Sequence, residues 1–300
     1  MDFEALQTFV TIHEAGGFSA AAETLHRSQP AISRRIALLE DEVGAPLFER
    51  TASRVVLSEA GRTLLPHAER ALASLRDASA AMAALRTGEA GEISLAAVGT
   101  LAGSNLTGRL KAFAAAHPGV GLSIRTATSH EVSDLVRRGD AVVGLRYLAR
   151  ADTDLAYEHI ADEPMQVICP PGHALAGRAV ASLAELRDEA WLTFPSALEA
   201  RETYADNIFS QFQARGIASV TWSPIDSLTA QKRLVEAGFG LALMSLSATA
   251  EERASGALSV ITVDDLAAAN PVYLVTRKGG YLSPAAKALA GILRDAGLAN

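Results

Sequence analysis

Cysteine is almost absent from this 300-residue chain: Cys169 stands alone, which excludes intramolecular disulfides and any thiolate-rich zinc or iron–sulfur site. It ends the apolar run Met165-Gln166-Val167-Ile168-Cys169, where a buried, inert thiol is expected. Lysine is scarce as well. Of 27 basic residues only Lys111, Lys232, Lys278 and Lys287 are not arginine. The net charge of −7 argues against a protein that coats nucleic acid indiscriminately, but leaves room for a local basic face. No apolar stretch is long enough to span a membrane. The N-terminus has acids at Asp2 and Glu4 and no basic leader, so no secretory signal is read and a cytoplasmic location is expected.

Catalytic signatures are missing too. There is no G-x-S-x-G, G-x-x-x-x-G-K-[ST], H-E-x-x-H or G-x-G-x-x-G. His13, His26, His67, His117, His130, His159 and His173 are scattered without metal-ligand spacing. His13 reads as packed on the apolar face of a first helix, and the Glu40-Asp41-Glu42 run as solvated surface. Neither an enzyme nor a metal or cofactor is expected. What is present, 49% apolar and 20% charged residues, suits a globular chain of two or three domains.

The first segment is helical. Phe3, Leu6, Val10 and His13 recur at helical spacing behind an Asp2 cap, and Gly16-Gly17 ends that helix. Ser19 is placed to cap a short second helix to about Leu25. Ser28 and Pro30 open a third, with Ile32, Ile36 and Leu39 as its buried stripe and Gly44 as its stop. Leu47–Arg50 and Arg54–Leu57 then read as a small hairpin around Thr51-Ala52-Ser53. From Ser58 to Arg86 a long helix is predicted, kinked near Pro66. Leu64, Ala68, Ala71, Leu75, Ala78, Met82 and Leu85 form a heptad seam suited to dimerisation rather than to packing on its own domain. Thr87–Gly91 reads as a hinge. Beyond it strands and helices alternate, which predicts parallel sheets flanked by helices. Leu135–Gly139 followed by Val143–Leu145 echoes Leu234–Gly238 followed by Leu241–Leu243, which suggests two similar lobes.

Two helices joined by a tight turn, the second opening Ser28-Gln29-Pro30, outline a helix-turn-helix. With Ile32, Ile36 and Leu39 inward, Gln29, Pro30, Ser33, Arg34 and Ala37 face out. Gln29 could read an adenine edge and Arg34 a guanine edge, while Ser33 and Arg35 could hold phosphates. Arg50 and Arg54 flank the hairpin turn, where a wing would meet the DNA backbone. The competing reading is a generic three-helix packing motif with a solvated arginine pair. Residues 1–65 carry six Arg against nine acids, so any basic face must be one-sided.

These residues resemble a known pattern. F-S-A-A-A-x-x-L, S-Q-P-A-I-S-x-x-I-x-x-L-E, G-x-x-L-F-x-R and L-S-x-A-G-x-x-L-L run through about the first 65 residues as in LysR-type transcriptional regulators. The resemblance implies an α/β protein with an N-terminal winged helix-turn-helix, a linker helix and a two-lobed effector domain similar to periplasmic solute-binding proteins. The implied boundaries are 1–57, 58–86, a hinge at 87–91, and 92–300, with lobe I at 92–161 and 266–300 and lobe II at 162–265. It implies a double-stranded DNA operator, a small-molecule effector, a homodimer commonly assembled as a tetramer, and RNA polymerase as a further partner. Ser28, Gln29, Pro30, Ser33 and Arg34 fall on the recognition helix.

Carried over, the inducer site falls on Thr100, on Thr128 and Ser129, and on Pro195 and Ser196. Hydroxyls and amides at helix starts suit a small carboxylate or other anion, though each hydroxyl could equally be an ordinary cap. Arg146 and Arg201 could pair with an anion or with surface acids. Phe194-Pro195-Ser196 and Asn207-Ile208-Phe209 look most like regulators of aromatic-compound catabolism. Asp140-Ala141 departs from the family's frequent Leu-Asp pair. A solute receptor and an enzyme with an appended dimerisation region are the alternatives, disfavoured by residues 1–57 and by the missing motifs.

Overall fold

The computed structural model describes residues 1–50, 55–87, 91–103, 106–194 and 204–294. Two units are distinct, an N-terminal one that holds the first 86 residues and a larger one that holds most of the remainder.

In the N-terminal unit α1 (Phe3–Ala15), α2 (Phe18–Thr24) and α3 (Gln29–Val43) precede a hairpin of β1 (Phe48–Arg50) and β2 (Val55–Leu57), and then α4 (Glu59–Thr87). Asp2 caps α1 by accepting from the Ala5 amide at 2.7 Å. Gly16 and Gly44 end α1 and α3 in the left-handed conformation that glycine adopts without strain. Two expectations shift. The second helix starts at Phe18 behind Gly17, so Ser19 lies inside it and is not its cap. The buried stripe of α1 is Ala5, Phe9, Val10 and Ile12, with Thr8 among them, while Phe3 and His13 are exposed. Phe9 sits between the predicted positions and packs on Phe48 of the hairpin, ring centroids 5.4 Å apart, which rotates the inward face away from His13.

Ile32, Ile36 and Leu39 of α3 are buried as expected, against Phe9, Ile12, Ala21, Leu47 and Leu57. Ala68 and Leu72 of α4 close the same core, with Leu64 and Leu65 packed beside them. Of the predicted seam, Leu64 and Ala68 therefore pack on their own domain, while Ala71 is exposed. Beyond it Leu75 and Met82 are 50% and 59% exposed. The helix runs unbroken through Pro66. The hairpin is pinned to both neighbouring helices. Glu40, read from sequence as solvated, accepts from the Leu47 amide at 2.7 Å, and the Ser58 hydroxyl donates to the Pro46 carbonyl at 2.5 Å.

The larger unit opens with β3 (Gly91–Val98), a 3-10 turn (Gly99–Gly103), α5 (Leu106–Ala116), β4 (Val120–Ala127), α6 (Ser129–Arg138) and β5 (Val143–Tyr147). Next come β6 (Leu155–Cys169), β7 (Ala179–Val180), β8 (Trp191–Thr193), α7 (Tyr204–Gln213), β9 (Trp222–Pro224), α8 (Leu228–Glu236) and β10 (Ala242–Ser245). After a 3-10 turn (Ser247–Thr249), α9 (Ala250–Ala254), β11 (Ser259–Val263), β12 (Ala269–Arg277) and α10 (Pro284–Arg294) complete it. The expected internal echo is present: Gly139 and Gly238 both take positive φ, and β5 and β10 follow them.

The sheets are mixed rather than parallel throughout. β4, β3 and β5 are parallel, but β12 runs antiparallel to both β5 and β6. The 15-residue β6 serves both lobes. Leu155–Pro164 pair with β12, and Met165–Cys169 pair with β10 and β11. One core lies around Leu95, Phe113, Val136, Leu145, Leu274 and Leu289, and another around Val167, Leu183, Trp191, Phe212 and Ile261. Cys169 is fully buried, and burial pushes its thiol pKa up to about 11, so it is an un-ionised thiol near neutral pH. No helix among the described residues is long and apolar enough to cross a membrane.

Gly61 shows how tightly the hairpin is held. A Cβ built there would lie 2.1 Å from the Leu47 carbonyl oxygen. Gly61→Ala should therefore destabilise the N-terminal unit by about 1–3 kcal/mol in urea unfolding, the usual cost of overpacking. An unchanged midpoint would show that Leu47 moves aside freely.

Candidate DNA-binding face and effector site

The α3 surface presents the residues expected at DNA. Ser28, Gln29, Pro30 and Arg34 are exposed and Ser33 is half-buried. Ser28 stands at the N-cap but makes no side-chain capping hydrogen bond, which leaves the helix start to other acceptors. Gln29 Nε2 donates to Ser33 Oγ at 3.1 Å, a weak exposed contact that holds the amide along the outer face. Arg35 behaves differently. Its guanidinium lies 2.5 Å from Glu4 Oε2, an exposed pair worth no more than about 1 kcal/mol. The side chain of Arg50, at the end of β1, lies outside the described residues, as do Arg54 and the Thr51-Ala52-Ser53 turn.

In the larger unit the predicted effector residues divide. Thr100 lies in the 3-10 turn after β3, buried, and its hydroxyl donates to the Tyr147 hydroxyl at 3.1 Å. Tyr147, at the end of β5, donates to Glu163 Oε2 at 2.7 Å. The other oxygen of Glu163 accepts from the Ser247 hydroxyl at 2.7 Å, and Ser245 Oγ lies 3.1 Å from Ser247 Oγ. A polar chain thus runs from β3 and β5 of lobe I, through a carboxylate on β6, to the end of β10 in lobe II. Glu163 has no exposed surface, and burial holds its pKa above the usual carboxylate value, opposed by hydrogen bonds from Tyr147, Ser247 and Ser245.

Thr128 precedes α6, and both its amide and its hydroxyl donate to Glu131 Oε2, at 2.8 and 2.9 Å. The Glu131 amide returns the bond to Thr128 Oγ1 at 3.4 Å. This is a capping box, the ordinary role of a threonine at that place. The Thr128 bonds hold the Glu131 carboxyl below the usual carboxylate range. Ser129 is buried in the first turn of α6.

Arg146 is not a surface ion-pair partner. It is buried, its Nε donates to the Tyr147 carbonyl at 3.0 Å and its Nη1 to Ser133 Oγ at 2.5 Å, with the guanidinium 5.7 Å from the Tyr157 ring centroid. Alternation along β5 turns it away from the face that carries Tyr147. Pro195, Ser196 and Arg201 lie outside the described residues, as does most of the Thr87–Gly91 hinge.

Tyr147, Glu163, Ser245 and Ser247 were missed by the sequence reading. A signal existed for Glu163: it shares period-2 parity with Ala161, Met165, Val167 and Cys169, all buried. An acid on an inward parity calls for partners. Those partners come from three other elements and leave no mark near residue 163.

A winged helix-turn-helix, a long helix and a two-lobed α/β domain with a buried polar junction define a DNA-binding regulator with a sensor domain. Residues 3–62 match the bacterial regulatory helix-turn-helix protein, lysR family, and residues 86–297 match the LysR substrate binding domain. The chain belongs to the LysR family of transcriptional regulators and is a ligand-responsive, DNA-binding member rather than an enzyme. It is 31% identical to the RuBisCO operon transcriptional regulator of Allochromatium vinosum over 284 residues, 94% of this chain and 92% of that one. It is 33% identical to the SDS degradation transcriptional activation protein of a Pseudomonas species, over 98% of this chain and 96% of that one. Full-length CbnR complexed with its target DNA superposes with a TM-score of 0.64 at 26% identity, covering 98% and 99% of the two chains. A full-length OxyR variant of Pseudomonas aeruginosa shares the fold, with a TM-score of 0.72 at 23% identity over 100% and 96% of the chains.

The Glu163 shift has a definite sign. With its folded pKa raised, its stabilising contribution is fully present below about pH 4.5 and is lost as pH rises through the folded value. Glu163→Gln cannot ionise, so its stability relative to wild type should increase over that rise in pH. Paired thermal melts across pH 4 to 8 check this, and a difference that is flat with pH would contradict it.

Proposed function

We propose that the exposed face of α3 reads an operator in the major groove, with Gln29 and Arg34 on base edges, Ser28, Pro30 and Ser33 against the backbone, and the hairpin beside the groove. The supporting observation is the orientation of α3. Ile32, Ile36 and Leu39 are locked into the core, which leaves Gln29 and Arg34 outward on a helix whose N-cap serine makes no cap bond. Arg35 joins the phosphate contacts by exchanging its exposed Glu4 partner, at little cost. The protein acts as a homodimer through the distal half of α4, supported by Leu75 and Met82, one heptad apart and both open to solvent. The effector is a small molecule held at the junction of the lobes, against Thr100 and the Ser129 end of α6. The small anion expected from the helix starts would meet Thr100 and Thr128 hydroxyls already donating within the protein.

Mobility shift with the DNA upstream of the chain's own gene tests the DNA reading. Arg34→Ala should weaken specific binding by about 1–3 kcal/mol while leaving the fold intact, the usual loss for one base-reading arginine. Unchanged operator affinity would remove Arg34 from the interface. For assembly, replacing both Leu75 and Met82 with Asp should give monomers in sedimentation velocity and abolish binding to a two-half-site operator. A double variant that stays dimeric would place the contact elsewhere.

A further inference from the structure

The N-terminal unit meets a polyanion with an unfavourable charge balance, since residues 1–65 carry six Arg against nine acids. The arginines that remain unneutralised therefore decide where phosphates can sit. Arg35 is paired with Glu4, and Arg62 donates to the Leu57 carbonyl at 2.8 Å. Arg54 and the side chain of Arg50 lie outside the described residues. Among the described residues that leaves Arg34, on the outward face of α3, and Arg27, in the turn before it. Both are exposed, and neither guanidinium has a hydrogen bond or ion pair within the protein. Glu23, one turn earlier on α2, forms no pair with Arg27.

The backbone of the turn fixes where Arg27 stands. The His26 amide donates to the Glu23 carbonyl at 3.1 Å and the Arg27 amide to the Ala22 carbonyl at 2.9 Å, the pair of bonds that closes a helix in a Schellman motif. His26 takes the left-handed conformation at that point, φ 50°, where glycine is the ordinary residue. Arg27 follows it directly and immediately precedes Ser28, the N-cap of α3. In a helix-turn-helix the first helix crosses the sugar–phosphate backbone and the second lies in the groove, so the turn between them lies at the rim.

We infer that Arg27 binds a DNA phosphate at the rim of the major groove, holding the duplex while Arg34 reads it. The inference rests on the reading that α3 enters the groove. A phosphate contact adds affinity for every sequence, whereas a base contact adds it for one. Unlike Arg35, Arg27 has no ion pair to exchange when DNA arrives.

The test is fluorescence anisotropy with the full-length protein over about 0.05 to 0.2 M salt. One labelled duplex comes from upstream of the chain's own gene, and the other is an unrelated duplex of equal length and base composition. Arg27→Ala should lower affinity about five- to tenfold at about 0.1 M salt, by the same factor for both duplexes. The slope of log affinity against log salt should shrink by about 0.9, the release of one phosphate's counterion. Arg27→Lys should keep that slope, because it keeps the charge. Arg34→Ala should instead lose more on the upstream duplex than on the unrelated one. Wild-type affinity and slope in Arg27→Ala would overturn the inference. A loss confined to the upstream duplex would make Arg27 a base reader and overturn it too. A loss with unchanged slope, not recovered by Arg27→Lys, would mark a structural role in the turn and count equally against it. If Arg34→Ala leaves discrimination intact while Arg27→Ala behaves as expected, base reading by α3 fails and the Arg27 contact stands.

Discussion

The pairing of β6 with two sets of neighbours is the constraint on which the sensor domain depends. A strand of 15 residues is far longer than one sheet of this size needs. Its first part is hydrogen-bonded to β12 and its last part to β10 and β11, so one continuous backbone belongs to both lobes. Glu163 sits where that change of partners occurs, next to Pro164, which has no amide to donate to a ladder. A fully buried carboxylate at this place is costly unless several donors reach it. The donors arrive from β5 and from the turn after β10, so satisfying Glu163 requires both lobes to be in register.

A comparable dependence holds the N-terminal unit together. The hairpin strands are only three residues each and could not persist alone. They are fixed by Glu40 on α3, by Ser58 before α4, and by Phe9 and Phe18, which both pack on Phe48. Gly61 brings α4 close enough to the Leu47 carbonyl that no side chain fits between them. The outward face of α3 follows from this inward bracing. Three aliphatic residues and one carboxylate face in, while Gln29, Pro30 and Arg34 stay exposed.

Carboxylates of the protein engage two of the hydroxyls read as facing an effector. Thr100 and Thr128 stand where strands lead into turns or helices, as an anion site would require. Each is nonetheless engaged by a carboxylate of the protein, through Tyr147 in one case and directly in the other. Arg146, the cation read as a possible partner of an anion, lies inside lobe I against Ser133, the Tyr147 carbonyl and the Tyr157 ring.

Local rules determined the helices and the outer face of α3, because capping, glycine stops and a 3.6-residue stripe act within a few residues of one another. Asp2, Gly16, Gly44 and the Ile32/Ile36/Leu39 set are of this kind, and the bounds Ser129–Arg138 of α6 were legible for the same reason. The heptad of α4 was legible as a pattern, but only packing showed that Leu64 and Ala68 serve the domain core while Leu75 and Met82 stay exposed. The mixed sheet, the double duty of β6 and the burial of Arg146 came from pairings between segments more than a hundred residues apart, such as β6 with β12. No local spacing encodes such a pairing. The hydrogen-bond chain at Glu163 is the extreme case: five ordinary polar residues on five segments form one network only when the fold brings them together around one buried carboxyl group.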